Sequence, residues 1–218
     1  MASPADRLAH VRQKIDRACK VARRPVSSVE TIAVSKTRAV EQIEPLIAAG
    51  QLAFGESRIQ EAEAKWPALR QRLSGLTLHM IGRLQSNKAA EAVALFDVIH
   101  SLDRPSLLDA LVASADKAGR FPPCFVQVNI GAEAQKGGVA IAGLGGFLDR
   151  VRASPLPLAG LMCIPPAGHE AAPYFALCQE LAKQHGLTGL SMGMSADYPT
   201  AILLGATIIR VGAALFED

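Results

Sequence analysis

Lys36 follows the apolar run "TIAVS", where the chain should be leaving the interior of a fold. Taken alone, a lysine at a strand end is most simply a surface charge in a weak ion pair. Arg210 changes the weighing, because it lies near the end of the last apolar run, "TIIRVGAALF". Gly212 follows, where backbone can approach a ligand with no Cβ in the way, and the turn opening at Ala213 offers exposed amides to an anion. The segment "SMGMSAD" adds Gly193, the Ser195 hydroxyl and a helix start over 195–197, although by itself it reads as a tight turn before a helix. If one fold gathers these groups, they offer an amine, a guanidinium and an anion cradle. That set suits a phosphorylated aldehyde held on the lysine as a Schiff base.

The elements that must do the gathering are visible as alternating patterns. From residue 32 onward, the runs "TIAVS", "LAFG", "LHMIG", "VIHSL", "CFVQVNI", "LAGLMCI", "LTGLSMGM" and "ATIIRVG" read as eight strands. Helical spacing of apolar residues marks 39–49, 57–73, 85–95, 105–118, 141–152, 172–185 and 197–204 between them. Eight βα units predict a closed (β/α)8 TIM barrel, with an open doubly wound sheet as the alternative. An extra N-terminal helix precedes them, with Leu8, Val11, Ile15 and Ala18 along one stripe, expected as a lid packed on the barrel. The barrel is compact beside the ~250 residues usual for the fold, and residues 1–218 form one expected domain. In such a barrel strand eight pairs with strand one, so Lys36 and Arg210 would share the carboxyl mouth, beside the loops after strands seven and eight that commonly bind phosphate.

Composition limits the partners. Half of the 218 residues are hydrophobic, which suits a substantial core, and the net charge of +3 comes from dispersed rather than clustered basic residues. A nucleic-acid partner is not expected. Cys19, Cys124, Cys163 and Cys178 lie far apart, without the close pairs of a zinc or redox motif, and read as reduced, buried thiols. The charged N-terminus lacks a secretory apolar core, and no run is long enough to span a bilayer, so a cytoplasmic protein with no membrane partner is expected.

"AVSKTR", "FGESRIQEAEAKW", "LHMIGRLQSNK", "VNIGAEAQKGG", "GLMCIPP" and "LSMGMSADYPTAILLGATIIRVGAALF", in that order, resemble the pyridoxal phosphate homeostasis proteins, the YggS/PROSC family. The resemblance runs from about residue 8 to the end. It implies an alanine racemase-like barrel carrying pyridoxal 5'-phosphate (PLP) on Lys36, with Arg210 facing the pyridine nitrogen. It also implies that Ser57 lies near the cofactor, and that Ser195 and the backbone at Gly212 and Ala213 hold the phosphate. Ser57 replaces the asparagine usual in the family, Ala206 a serine and Ala213 a threonine, which removes side-chain contacts but leaves the lysine, the arginine and the glycine.

Three functions compete: a PLP carrier, a PLP enzyme such as an amino-acid racemase or lyase, and an unrelated barrel enzyme acting on a phosphorylated substrate. A two-base racemase needs a second base, supplied in related barrels by a tyrosine from another domain. Tyr174 and Tyr198, the only tyrosines, lie in helical stretches. Arginine, always protonated, donates to a ring nitrogen without yielding a proton, which weakens the ring as an electron sink. The expected function is therefore reversible PLP binding, for buffering or delivery to apo forms of PLP-dependent enzymes, by a monomer without catalytic residues. Weak racemase or lyase activity is the alternative. His79 is expected to be satisfied by a backbone carbonyl at a strand edge. "QKGG" at 135–138 reads as a flexible basic loop.

Overall fold

The computed structural model describes residues 2–217. Helix α1 (Pro4–Val21) is followed by β1 (Glu30–Val34), α2 (Val40–Ala48), β2 (Ala53–Glu56), α3 (Ile59–Arg72), β3 (Thr77–Met80), α4 (Ala89–Leu95) and β4 (Val98–Leu102). Then come α5 (Pro105–Ala118), β5 (Cys124–Val128), α6 (Leu144–Arg152), β6 (Leu158–Cys163), α7 (Ala172–Gln184), β7 (Leu190–Ser191), α8 (Tyr198–Leu203), β8 (Ile208–Val211) and α9 (Ala213–Phe216). The eight strands are parallel and closed, each paired with the next and β8 with β1. Ile32 stands opposite Arg210 and Ala33 opposite Val211. Closure excludes the open sheet and puts the ends of β1 and β8 side by side.

Local sequence explains the ends of α1. Ser3 caps it: the Ser3 hydroxyl accepts from the Asp6 amide while the Asp6 carboxylate accepts from the Ser3 amide, and Pro4 occupies the first turn. Its stripe of Leu8, Val11, Ile15, Ala18 and Cys19 is buried. The helix is not a lid. It packs against α8, α9 and α2 in the outer ring, and Arg7 donates to the Leu215 carbonyl. Beyond β8 the described chain forms only the four-residue α9, so α1 supplies the outer stave that this short segment cannot.

Two apolar clusters result. The larger lies between sheet and helices. The smaller is built from Ile32, Ala53, Phe125, Met162 and Ile208, on β1, β2, β5, β6 and β8. His79, His100, Ser191 and Arg210 are buried as well, on β3, β4, β7 and β8. This polar group is unlike the branched apolar layers usual inside such barrels.

Candidate functional site

Lys36, Ser57, Ser195, Arg210, Gly212 and Ala213 line one cleft of about 590 Å³ at the carboxyl ends of the strands. All six predicted positions are brought together. Ala206, the other departure, is buried and does not line that cleft.

Lys36 is exposed, and its ammonium has no hydrogen-bond or ion-pair partner among the described residues. The other lysines of the resemblance motifs are committed. Lys65 pairs with Glu56 at 2.7 Å, Lys88 with Glu91 at 2.7 Å and Lys136 with Glu133 at 2.6 Å. The turn presenting Lys36 is held from both sides. After it, Thr37 adopts φ 60°, a strained conformation for a β-branched residue, with its amide donating to the Glu61 carboxylate at 3.0 Å. Before it, the buried Ser35 hydroxyl donates to Glu56 at 2.7 Å, while Lys65 donates to the Ser35 and Arg38 carbonyls. Trp66 Nε1 adds a third donor to the same Glu56 oxygen at 3.0 Å.

Arg210 is only 4% exposed. Its Nη1 donates to Ser191 Oγ at 2.7 Å and its Nη2 to the Cys163 carbonyl at 3.0 Å. A guanidinium carries five N–H donors, so others remain for a ligand in the cleft. Burial lowers the guanidinium's pKa, opposed by the Cys163 thiol and the Asp197 carboxylate.

The cradle forms where the loops after β7 and β8 meet. Ser195 Oγ accepts from the Gly212 amide at 3.1 Å and the Ala214 amide at 3.4 Å, which leaves its own hydrogen to donate. Gly193 permits this turn: at φ 93°, an added Cβ would lie 2.6 Å from the Ala201 Cβ. The helix start falls slightly later than predicted, at Tyr198, with the Asp197 carboxylate turned back to the Met194 amide at 2.6 Å. Ser57 is half-buried at the end of β2, directly under Gly82, where a Cβ would meet the Ser57 carbonyl at 2.2 Å.

Several expectations change. His79 is not satisfied by a carbonyl: its Nδ1 lies 3.0 Å from His100 Nε2, because adjacent strands β3 and β4 both aim these rings inward. The 135–138 loop is tied along β5, with Gln127 Nε2 donating to the Gly137 carbonyl at 3.2 Å and the Val139 amide to the Gln127 carbonyl at 2.8 Å. Gly137 and Gln127 thus reach the cleft, as does the exposed Arg83, which has no partner among the described residues. The support from Glu56, Lys65 and Trp66 was also missed, although "FGESRIQEAEAKW" contains all three. A buried carboxylate at a strand end was the available signal.

Among the described residues, no helix is long and apolar enough to cross a membrane, and no group of three His, Cys, Asp or Glu residues could hold a metal ion. Residues 7–218 match the alanine racemase N-terminal domain family. The pyridoxal phosphate homeostasis protein of Aquifex aeolicus is 37% identical over 98% of this chain and 97% of its own. That of Pseudomonas aeruginosa is 39% identical over 99% and 96%. The chain belongs to the pyridoxal phosphate homeostasis protein family. A solved structure close to it is that of PipY from Synechococcus elongatus with PLP bound, at 40% identity and a TM-score of 0.86 over 98% of this chain and 99% of that one. Alanine racemase from Clostridium difficile shares only the fold with this family member: 14% identity and a TM-score of 0.71, over 95% of this chain and 56% of the racemase.

Proposed function

We propose that the chain binds PLP reversibly, as a Schiff base on Lys36, and buffers or delivers it rather than turning over a substrate. The carrying observation is the pairing, in one cleft, of an uncommitted lysine amine with a buried arginine that keeps free N–H donors. The cleft volume suits a small ligand. The solved relative with PLP bound supports the same cofactor here. Bound there, PLP supplies the aldehyde carbon that the amine needs and an electron-withdrawing ring. With PLP bound, Arg210 would donate to the ring nitrogen, Ser195 and the backbone at Gly212 and Ala213 would hold the phosphate, and Ser57 would lie near the cofactor.

Holding rather than turnover is favoured by the lining of the cleft. Neither tyrosine lines it: Tyr198 is buried in α8 and Tyr174 packs against the outer core from α7. A second base facing the amine is therefore not supplied by these residues. The likeness in fold to alanine racemases leaves weak racemase or lyase activity as the second reading. In the first reading the whole chain works as a single cytoplasmic monomer, and apo forms of PLP-dependent enzymes receive the cofactor. Borohydride reduction of the PLP-loaded protein, followed by peptide mass analysis, should place a pyridoxyl group on Lys36. An adduct only on Lys88 or Lys136 refutes the assignment.

A further inference from the structure

Four buried polar side chains cross the inside of the barrel in one line. Arg210 Nη1 reaches Ser191 Oγ at 2.7 Å, Ser191 Oγ lies 2.9 Å from His100 Nδ1, and His100 Nε2 lies 3.0 Å from His79 Nδ1. His79 Nε2 has no hydrogen-bond partner among the described residues, and 4.0 Å away stands the Glu30 carboxylate at the amino end of β1. The line joins β8, β7, β4, β3 and β1. Glu30 begins the strand whose Ile32 pairs with Arg210, so the line ends about 7 Å further down the barrel, at two strand rises.

Counting hydrogens gives the line a direction. Arg210 can only donate, so Ser191 Oγ accepts from it. The Ser191 hydrogen has one remaining partner among the described residues, His100 Nδ1, which must then be the bare nitrogen. A neutral His100 carries its hydrogen on Nε2 and donates to His79 Nδ1. His79 in turn carries its hydrogen on Nε2, toward Glu30. The opposite direction would waste the Ser191 hydrogen and turn a bare nitrogen toward a carboxylate. Both ends therefore select the same arrangement: donors running from the guanidinium at the mouth to an anion at the base.

We propose that Ser191, His100 and His79, ending on Glu30, are positioning residues that hold the Arg210 guanidinium in place, with its free N–H groups toward the ring nitrogen. The inference rests on the PLP-binding reading above. Both rings are buried, and burial favours their neutral forms. His100 also stacks on Phe125, with centroids 4.7 Å apart and planes 15° apart, which fixes its plane. Such a buried polar line is costly unless every member is satisfied, and the weak point is the last contact, His79 to Glu30.

Two-bond nitrogen–proton NMR of the apo-protein reads the histidine tautomers directly. Both His79 and His100 should be Nε2–H at neutral pH, and an Nδ1–H tautomer at His100 overturns the proposal. In the loaded protein, His79→Leu removes the acceptor for His100. It should move the ring-nitrogen resonance of labelled PLP and raise the dissociation constant roughly tenfold, the usual scale of one buried hydrogen bond. His79→Asn keeps an oxygen near the position of Nδ1 and should restore both. If His79→Leu folds and leaves the resonance and the affinity unchanged, the residues are structural filler and the proposal falls. If His79→Leu does not fold, His79→Asn decides, since an altered ring-nitrogen resonance in that variant contradicts the rescue. Unmodified protein that takes up no PLP on Lys36 refutes the binding reading instead, while the apo-protein tautomers still judge the line itself.

Discussion

Replacing Glu56 should show how much of Lys36's presentation depends on the network behind it. Glu56 is fully buried, and its Oε1 takes hydrogen bonds from Ser35 Oγ, Trp66 Nε1 and Lys65 Nζ. The Lys65 side chain is 11% exposed, so its charge is compensated mainly by this one carboxylate. Glu56→Gln keeps an oxygen for Ser35 and Trp66 but leaves the ammonium unpaired. Removing one partner of a buried pair costs about 3–5 kcal/mol. Lys65 still donates to the Ser35 and Arg38 carbonyls, which points to the lower end. At roughly 2–4 °C per kcal/mol for a chain of this size, about 3 kcal/mol lowers Tm by about 6–12 °C.

Glu56→Ala should cost more, because two further buried donors lose their acceptor at about 1–3 kcal/mol each. Adding Lys65→Met to Glu56→Gln removes both charges and should recover most of the loss. The carbonyls tied by Lys65 flank Lys36, so PLP affinity should fall in the single variant beyond any effect of unfolding. Urea unfolding of the three variants, with PLP titration under conditions where each is folded, measures both quantities. A cost below about 1 kcal/mol for Glu56→Gln, or a double variant as unstable as the single, refutes the reasoning.

Burial lowers the His79 pKa to about 4, against the upward pull of Asp97 and aided by Arg70. Its folded value lies below the unfolded 6.5, so the unfolded chain binds the extra proton between those values and stability falls as pH drops from 6.5 toward 4. His79's share of the loss at pH 5 relative to pH 7.5 should be about 2 kcal/mol, in addition to that of His100, whose pKa burial also lowers, so His79→Asn should make the profile shallower without flattening it; an unchanged slope in the variant contradicts the assignment. Gly193→Ala forces a Cβ to 2.6 Å from Ala201 and an alanine to φ 93°, and should destabilise by about 3 kcal/mol in chemical unfolding, whereas a neutral substitution would show that the loop after β7 can shift.

The strands were legible because each is a short apolar run ended by a polar or small residue. The helices were legible to within a few residues at each end. Closure followed from the count of eight βα units, with an open sheet as the alternative, because the register that decides it, Ile32 against Arg210, joins residues far apart in the chain. The six site positions came from resemblance as much as from chemistry: spacing alone put Lys36 and Arg210 at strand ends, while Ser57 had no local signal. The place of α1 was misjudged because a buried stripe says that a helix packs, not where. The interior line was hidden for a different reason. His79 and His100 each look like one polar residue in an apolar strand, and only the barrel's curvature sets them 3.0 Å apart and brings Ser191 across from β7.

Exposure differs sharply between the two ends of the cleft, and this bears on holding against turnover. Lys36 stands exposed at the rim with an amine that no described residue pairs with. Arg210 lies buried at the floor, with two N–H groups already fixed on Ser191 and Cys163. An enzyme working in such a cleft gains from closing the rim, because excluding water strengthens the interactions that favour its transition state. A carrier gains from the reverse arrangement. It needs a floor rigid enough to select one ligand orientation and an open amine from which that ligand can be taken.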